Sequence, residues 1–245
     1  MRKLSGKTYW LVGASEGLGR ALAMRLSKAG CTLVLSARNM DSLLALAETL
    51  PGAARCVMCD VSDKDSVIEA AKEAGEIDGM VYLAGVYWPF PAQDWDADQT
   101  EAMFDVNLTG AARVLGQVVP GMIARKSGHI VITGSLSGYR GLPGSIGYSS
   151  SKAGLMHLAE SMHADLRGSG VDVQLANPGF IRTRLTDKNQ FTMPFLMEPD
   201  QAADEMFTLM RSLKFQRAFP MLFSWLFRGA NFLPDWAYFR VFGRK

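Results

Sequence analysis

Tyr148 and Lys152 stand four residues apart in a stretch that reads as helix, so the phenol and the ammonium share one face. A cation placed there lowers the energy of a phenolate, and a Tyr that ordinarily titrates at about 10 needs such a partner to exchange protons near neutral pH. Ser135 lies thirteen residues before Tyr148, at the end of an apolar β-branched run, where its hydroxyl can donate to the same substrate oxygen. Tyr-x-x-x-Lys is a weak signal alone and gains weight from context. Together the three side chains suit proton exchange with a hydroxyl or carbonyl oxygen.

A second cluster lies near the chain start. Gly13-Ala14-Ser15-Glu16-Gly17-Leu18-Gly19 follows the apolar segment Tyr9 to Val12 and runs directly into a helical pattern. Glycines let the backbone turn tightly and approach a pyrophosphate, whose charge is favoured by the free N–H groups at a helix N-terminus. An ordinary glycine-rich turn is the alternative, but the place of the loop in the first strand–helix unit points to a dinucleotide. The next apolar run ends at Ser36-Ala37-Arg38, without the acid that NAD sites set against the ribose 2′-hydroxyl. A guanidinium suits a 2′-phosphate through forked, charge-assisted hydrogen bonds, so Arg38 points to NADP(H), with NAD(H) as the alternative. Glu16, near the same phosphate in some geometries, works against that reading. Asp60, at the end of the third run, can accept from the adenine amino group; its rival role, shared with Ser62, is to cap the following helix. Cys56 and Cys59 are three apart on a strand and face opposite sides, and neither they nor His129, His157 and His163 have metal-ligand company, so no metal site is expected.

The elements that must position these residues follow from periodicity. Tyr9 to Val12, Thr32 to Leu35, Cys56 to Val61, Gly79 to Leu83, His129 to Thr133 and Val171 to Ala176 read as strands, with an edge strand around Arg217 to Phe219. Leu18 to Lys28, Met40 to Leu50, Asp63 to Ala74, Gln99 to Arg125 and Ser149 to Arg167 read as helices. Strand, helix, strand at this spacing means parallel strands joined by right-handed crossovers. The fold class is therefore α/β, a single-domain Rossmann-like doubly wound parallel sheet with helices on both faces. Ligands of such sheets sit outside the carboxyl ends of the strands, where the glycine loop, Arg38, Asp60 and Ser135 fall.

Composition bounds the function. The 245 residues are 48% hydrophobic and 20% charged, enough for one full core. A net charge of +2 without a Lys/Arg-rich run argues against nucleic acid. Three cysteines and no apolar leader segment suit the cytoplasm. Charge is uneven, however: residues 214–245 sum to +5 and the other 213 to −3, and ten of the 24 aromatics lie in that tail. The chain thus divides into a catalytic domain, 1–213, and an aromatic, basic extension, 214–245, packed on or appended to it.

Taken in order and spacing, these motifs resemble the classical type of short-chain dehydrogenases/reductases, from Gly6 to about Arg184. Gly13, Gly17 and Gly19 match the family's glycine loop, Asp60 its adenine-binding acid, Asn107 in Val106-Asn107-Leu108 its helix asparagine, and Asn177-Pro178-Gly179-Phe180-Ile181-Arg182-Thr183 its segment beside the nicotinamide. The resemblance implies hydride transfer between a nicotinamide and an alcohol or ketone. Tyr148 is then the general acid/base, Lys152 lowers its pKa, Ser135 orients the substrate oxygen and Asn107 keeps a water in the proton relay. It further implies that the dinucleotide is held by Gly13, Ser15, Glu16, Gly17, Leu18 and Gly19, by Arg38, Asp60 and Val61, by Ala84 and Gly85, by Tyr148 and Lys152, and by Pro178, Gly179, Ile181 and Thr183. A homodimer or tetramer follows from the same likeness. Two positions depart from the pattern: Val12 stands where the family has Thr, and Tyr82-Leu83-Ala84-Gly85 where it has Asn-Asn-Ala-Gly.

The family's lid corresponds to Arg184 to Pro199, whose Phe191, Met193, Phe195, Leu196 and Met197 suggest a hydrophobic substrate. The tail interleaves aromatics with Arg228, Arg240 and Arg244, but no run reaches the ~18 to 20 apolar residues of a spanning helix. Three roles stay open for 215–243: peripheral contact with the inner face of a membrane, an oligomer interface, or a cover over the cleft. Two functions are weighed. The first is an NAD(P)(H)-dependent oxidoreductase of a hydrophobic alcohol or carbonyl; the second is an NADP(H)-binding regulatory or scaffold protein that reaches a partner through the tail.

Overall fold

Apolar runs long enough to be buried on both faces, separated by amphipathic helices, assemble into one parallel sheet. The computed structural model describes residues 1–189 and 191–243. Its strands are β1 (Thr8–Val12), β2 (Thr32–Ala37), β3 (Ala54–Met58), β4 (Gly79–Tyr82), β5 (Gly128–Thr133), β6 (Val171–Pro178) and β7 (Gln216–Phe219), in the spatial order β3-β2-β1-β4-β5-β6-β7, all parallel. The helices are α1 (Gly17–Lys28), α2 (Met40–Ala47), α3 (Lys64–Ala74), α4 (Ala97–Phe104), α5 (Gly110–Ala124), α6 (Ile146–Asp165), α7 (Pro199–Arg211), α8 (Met221–Ala230) and α9 (Asp235–Phe242).

Alternation along each strand sends side chains to two apolar layers. Trp10, Val34, Met80 and Ile130 pack with Val67, Val114 and Leu155 of α3, α5 and α6. Tyr9, Leu11, Leu33 and Val131 pack with Leu22, Leu43 and Met206 of α1, α2 and α7. Cys59, just past the end of β3, belongs to the first layer and Cys56 lies against the second, so the two face opposite sides. At the end of the sheet remote from the expected chemistry, His129 is buried between Tyr9 Oη (2.7 Å from Nδ1), Arg2 Nη1 and Gln174 Oε1 (each 2.9 Å from Nε2).

Most elements differ from expectation by one to three residues at an end, helix α6 for instance running Ile146–Asp165 where Ser149 to Arg167 was expected, and the larger differences are these. Strand β3 stops at Met58, not Val61, because Asp60 turns the chain: its Oδ1 accepts from the Ser62 N–H and hydroxyl, and its own N–H donates to Ser66 Oγ. The cap of α3 is Asp63, which accepts from the N–H groups of Asp65 and Ser66, and neither Asp60 nor Ser62 fills that place. Helix α2 ends at Ala47 and not at Leu50. The single helix expected over Gln99 to Arg125 is two, α4 and α5, joined by one π turn at Asp105–Thr109 in which the Gly110 N–H reaches back to Asp105 O. Tyr82 Oη donates to Val106 O at 2.6 Å inside that turn, and Arg113 Nη1 ties Asp105 to Val61 O. Helix α7, absent from the sequence reading, starts with Pro199 and carries a capping box between Glu198 and Gln201.

The extension continues the fold. Strand β7 pairs with β6, and α8 and α9 fold back over the loop after β5. Arg140 of that loop is the fastening: Nη1 donates to Ala230 O and Leu233 O at 2.9 and 2.8 Å, Nη2 pairs with Asp235, and the guanidinium lies 3.9 Å from the Tyr238 ring centre. Tyr238 Oη returns a hydrogen bond to Gly141 O at 2.7 Å.

Candidate active site

Two volumes open side by side at the carboxyl ends of the strands. The smaller, about 150 Å³, lies between the glycine loop and the segment after β6; the larger, about 630 Å³, lies under α8. Tyr148 borders both. It sits in the first turn of α6, with Lys152 one turn further along. Ser135, which leaves β5 and heads the short turn Leu136–Gly138, borders the large volume only, and Lys152 borders the small one only. The phenol thus stands at the junction, hydroxyl donor on one side and ammonium on the other.

The electrostatics differ from the simple picture of a cation lowering a phenol. Lys152 Nζ donates to Thr133 O at 2.9 Å and stands 5.7 Å from the Tyr148 ring centre. Burial pushes the ammonium down to about 8. Burial likewise pushes the Tyr148 phenol up to about 12, against a smaller opposing pull from Ser135 and with a small further push from Tyr87. In this arrangement the phenol is protonated near neutral pH. Tyr87, which sequence reasoning passed over, packs edge-on against Tyr148 with ring centres 4.9 Å apart, and its hydroxyl donates to Asn189 Oδ1 at 2.9 Å.

The small volume is lined by Gly13, Glu16, Gly17, Leu18, Gly19, Gly85, Tyr148, Lys152, Pro178, Gly179, Ile181 and Thr183 among the expected cofactor residues, together with Thr133, Gly134, Arg184 and Thr186. Its floor is made for close backbone approach: a Cβ at Gly13 (φ +96°) would stand 2.5 Å from Ala84 N, and one at Gly19 2.1 Å from Gly13 O. Glu16 places no side chain on the first-turn N–H groups of α1, which stay free for an anion, and the buried Thr133 Oγ1 has no hydrogen-bond partner. These features fit a dinucleotide. The two departures from the family pattern have structural substitutes. Val12 lacks a hydroxyl but its carbonyl accepts from the N–H groups of Leu83 and Ala84 at 2.8 and 2.9 Å, and Tyr82 supports the π turn.

Ser15, Arg38, Asp60, Val61 and Ala84 lie outside that lining. Arg38 is exposed and close enough to help hold the Asp60 carboxyl below its usual range, where burial opposes the shift and the Ser62 hydrogen bonds and Arg38 outweigh it. Val61 presents its carbonyl to Arg113. Glu16 is engaged by Arg184 across the groove at 2.9 Å, joining the glycine loop to the lid. Asn107 borders neither volume. It is fully buried in the π turn, where Oδ1 accepts from Val86 N and Nδ2 donates to Val86 O and Ser151 Oγ, and Ser151 Oγ donates to Tyr148 O. Its side chain therefore fixes the loop after β4 to the helix carrying Tyr148.

The large volume is walled by apolar side chains from distant parts of the chain. Phe180 follows β6, Phe191 lies on the lid, and Phe223 and Phe227 come from α8. Their rings touch in sequence, edge to face for Phe180 and Phe191 (centres 5.8 Å apart) and for Phe223 and Phe227 (5.0 Å), and tilted for Phe180 and Phe223 (5.9 Å). Phe195 of the lid stacks on Phe223 at 5.3 Å. Of the roles open to the tail, the inner face of α8 takes that of cleft wall.

A parallel sheet in this strand order, with a Tyr-Lys pair beside a glycine-loop groove, defines a nicotinamide-dependent oxidoreductase, and the family model for short chain dehydrogenases matches residues 7–193. The chain belongs to that family. It is 40% identical over 213 residues to an uncharacterized oxidoreductase of Myxococcus xanthus, covering 84% of each chain. It is 34% identical over 198 residues to a 3-oxoacyl-[acyl-carrier-protein] reductase of Thermotoga maritima, covering 76% of this chain and 78% of the relative. Among solved structures, a short-chain dehydrogenase from Sphingobium yanoikuyae in complex with NADPH is 25% identical and superposes with a TM-score of 0.82 over 91% of each chain.

Proposed function

We propose that this protein is an NADP(H)-dependent oxidoreductase of hydrophobic carbonyl compounds and their alcohols, with Tyr148 as the general acid/base. One observation carries the reading: Tyr148 borders the groove and the apolar cavity at once, with Ser135 on the cavity side and Lys152 on the groove side. When bound, the nicotinamide supplies or takes the hydride. Ser135 donates to the substrate oxygen and orients it. Tyr148, held protonated by burial, gives its proton to the oxygen as negative charge develops there, and takes it back in the reverse reaction. Lys152 adds positive charge on the groove side, and Asn107 steadies Tyr148 through Ser151.

The phosphate-bearing end of the dinucleotide is assigned to the glycine loop and the first turn of α1, the nicotinamide end to Pro178, Gly179, Ile181 and Thr183, and the adenosine end to Asp60, Val61 and Arg38. Arg38 takes the 2′-phosphate, and the NADPH bound by the Sphingobium relative agrees with that choice. A ring-lined cavity of about 630 Å³ suits a substrate with a sizeable apolar body, and the Thermotoga relative's name points to the carbonyl of a 3-oxoacyl chain as one such class. The reading includes a homo-oligomer, as the family resemblance implies, in the cytoplasm, as the cysteine usage suggests.

The test is a fluorescence titration with NADPH and NADH, followed by reduction of a panel of apolar ketones. The expected result is tighter NADPH binding and turnover that Tyr148→Phe abolishes while leaving cofactor affinity within about twofold. Turnover that survives Tyr148→Phe overturns the mechanism. NADPH binding without turnover on any ketone favours a regulatory dinucleotide-binding protein.

A further inference from the structure

Helices α8 and α9 present two unlike faces. Inward, Phe223, Phe227 and Tyr238 are buried. Outward, α8 carries Met221, Leu222, Trp225 and Leu226 at i, i+1, i+4 and i+5, one stripe of the helix, and α9 carries Trp236, Phe239 and Val241; Phe232 in the joining turn is 90% exposed. Large apolar side chains this open, grouped on consecutive helices held by one arginine, form a surface that water does not stabilise.

The charge on that surface selects its occupant. Arg228 and Arg240 are exposed on the same two helices, and among the described residues neither has an acidic partner. The one acid of 214–243, Asp235, is taken by Arg140, and Arg217 is paired with Glu205. A two-fold contact between copies would set this positively charged face against itself, with no free carboxylate on it to match Arg228 and Arg240. An anionic lipid surface supplies what is missing: negative charge for the guanidiniums and an interfacial layer for tryptophans. No helix among the described residues is long and apolar enough to cross a membrane, so the helices lie along the surface.

We infer that the outer face of α8 and α9 docks the protein on anionic phospholipid bilayers, with Trp225, Phe232 and Trp236 entering the interface and Arg228 and Arg240 facing the headgroups. Docking is independent of the reaction assigned above. It places the helix whose other side walls the cavity, through Phe223 and Phe227, directly against the lipid.

Co-sedimentation of the full chain with vesicles of phosphatidylcholine alone, and of phosphatidylcholine mixed with phosphatidylglycerol, tests this. The wild type is expected to pellet with the mixed vesicles, to stay in solution with the neutral ones, and to be released by salt. Arg228→Gln with Arg240→Gln should weaken binding about 30-fold, at about one interfacial charge each, and Trp225→Ser with Trp236→Ser should abolish it, while both variants melt with the wild type. A wild type that ignores mixed vesicles overturns the inference. So does equal binding to neutral vesicles that the double arginine variant retains. So does a dimer that Trp225→Glu dissociates in a protein that binds no vesicle, which would make this face a contact between copies.

Discussion

Replacing Arg140 by Ala removes the fastening of the C-terminal helices, and its effect can be worked from the contacts. Two hydrogen bonds from a cation to the carbonyls of Ala230 and Leu233 are each good for about 1.5 kcal/mol at a partly exposed site. The pair with Asp235, which is 87% exposed, adds less than ~1 kcal/mol, and stacking over Tyr238 adds ~0.5 to 1. Water recovers part of this by solvating the freed carbonyls, leaving roughly 3 kcal/mol, or about a 100-fold rise in the population with α8 and α9 undocked. Limited trypsin digestion reads that population as the rate of cleavage after Arg228, which should rise by about the same factor. Arg140→Lys keeps the charge but not the fork, and should fall between. With Phe223 and Phe227 withdrawn, KM for a large apolar ketone should rise while kcat for a small one holds. Cleavage within about twofold of wild type would refute the reasoning, because the helices would then be held by their apolar contacts alone.

Neutralising Arg38 to Gln should weaken NADPH about 30-fold, from the loss of about 2 kcal/mol of charge-assisted bonding, and leave NADH unchanged by the same fluorescence titration. Equal losses for both cofactors would remove Arg38 from the 2′-phosphate. Phe227→Ala opens the cavity wall, so activity should move toward bulkier ketones, measured as a ratio of kcat/KM between a branched and a linear substrate. His129 sets an acid limit on stability. Burial, reinforced by Arg2, pushes it down to about 3, whereas the unfolded chain binds that proton at about 6.5. Its contribution is complete above about pH 6.5 and is lost as pH falls, at about 1.4 kcal/mol per unit until about pH 3. Urea unfolding at about pH 7 and about pH 5 should therefore differ by roughly 2 kcal/mol, and His129→Gln should flatten that difference.

What was legible in the sequence is what local rules encode. The strands of the sheet apart from their ends, the glycine loop and the shared face of Tyr148 and Lys152 each depend on residues within a few positions of one another, and all lie where periodicity and turn chemistry put them. The π turn at Asn107 breaks an otherwise continuous helical pattern because Tyr82 reaches in from another strand to take Val106 O, a partner 24 residues away that no helical period contains. The rise in the Tyr148 pKa has a related cause: the neighbouring cation is visible in the spacing, but the burial that pushes the phenol up comes from the assembled walls. Those walls are the part of the site most remote in sequence. Arg140 meets carbonyls 90 and 93 residues downstream, and Tyr87 meets Asn189 across 102. The residues that line the groove lie on loops that strand ends position, whereas those that wall the apolar cavity come from chain segments brought together only by tertiary packing. The reaction class was therefore within reach of the sequence, and the shape of the substrate cavity required the fold.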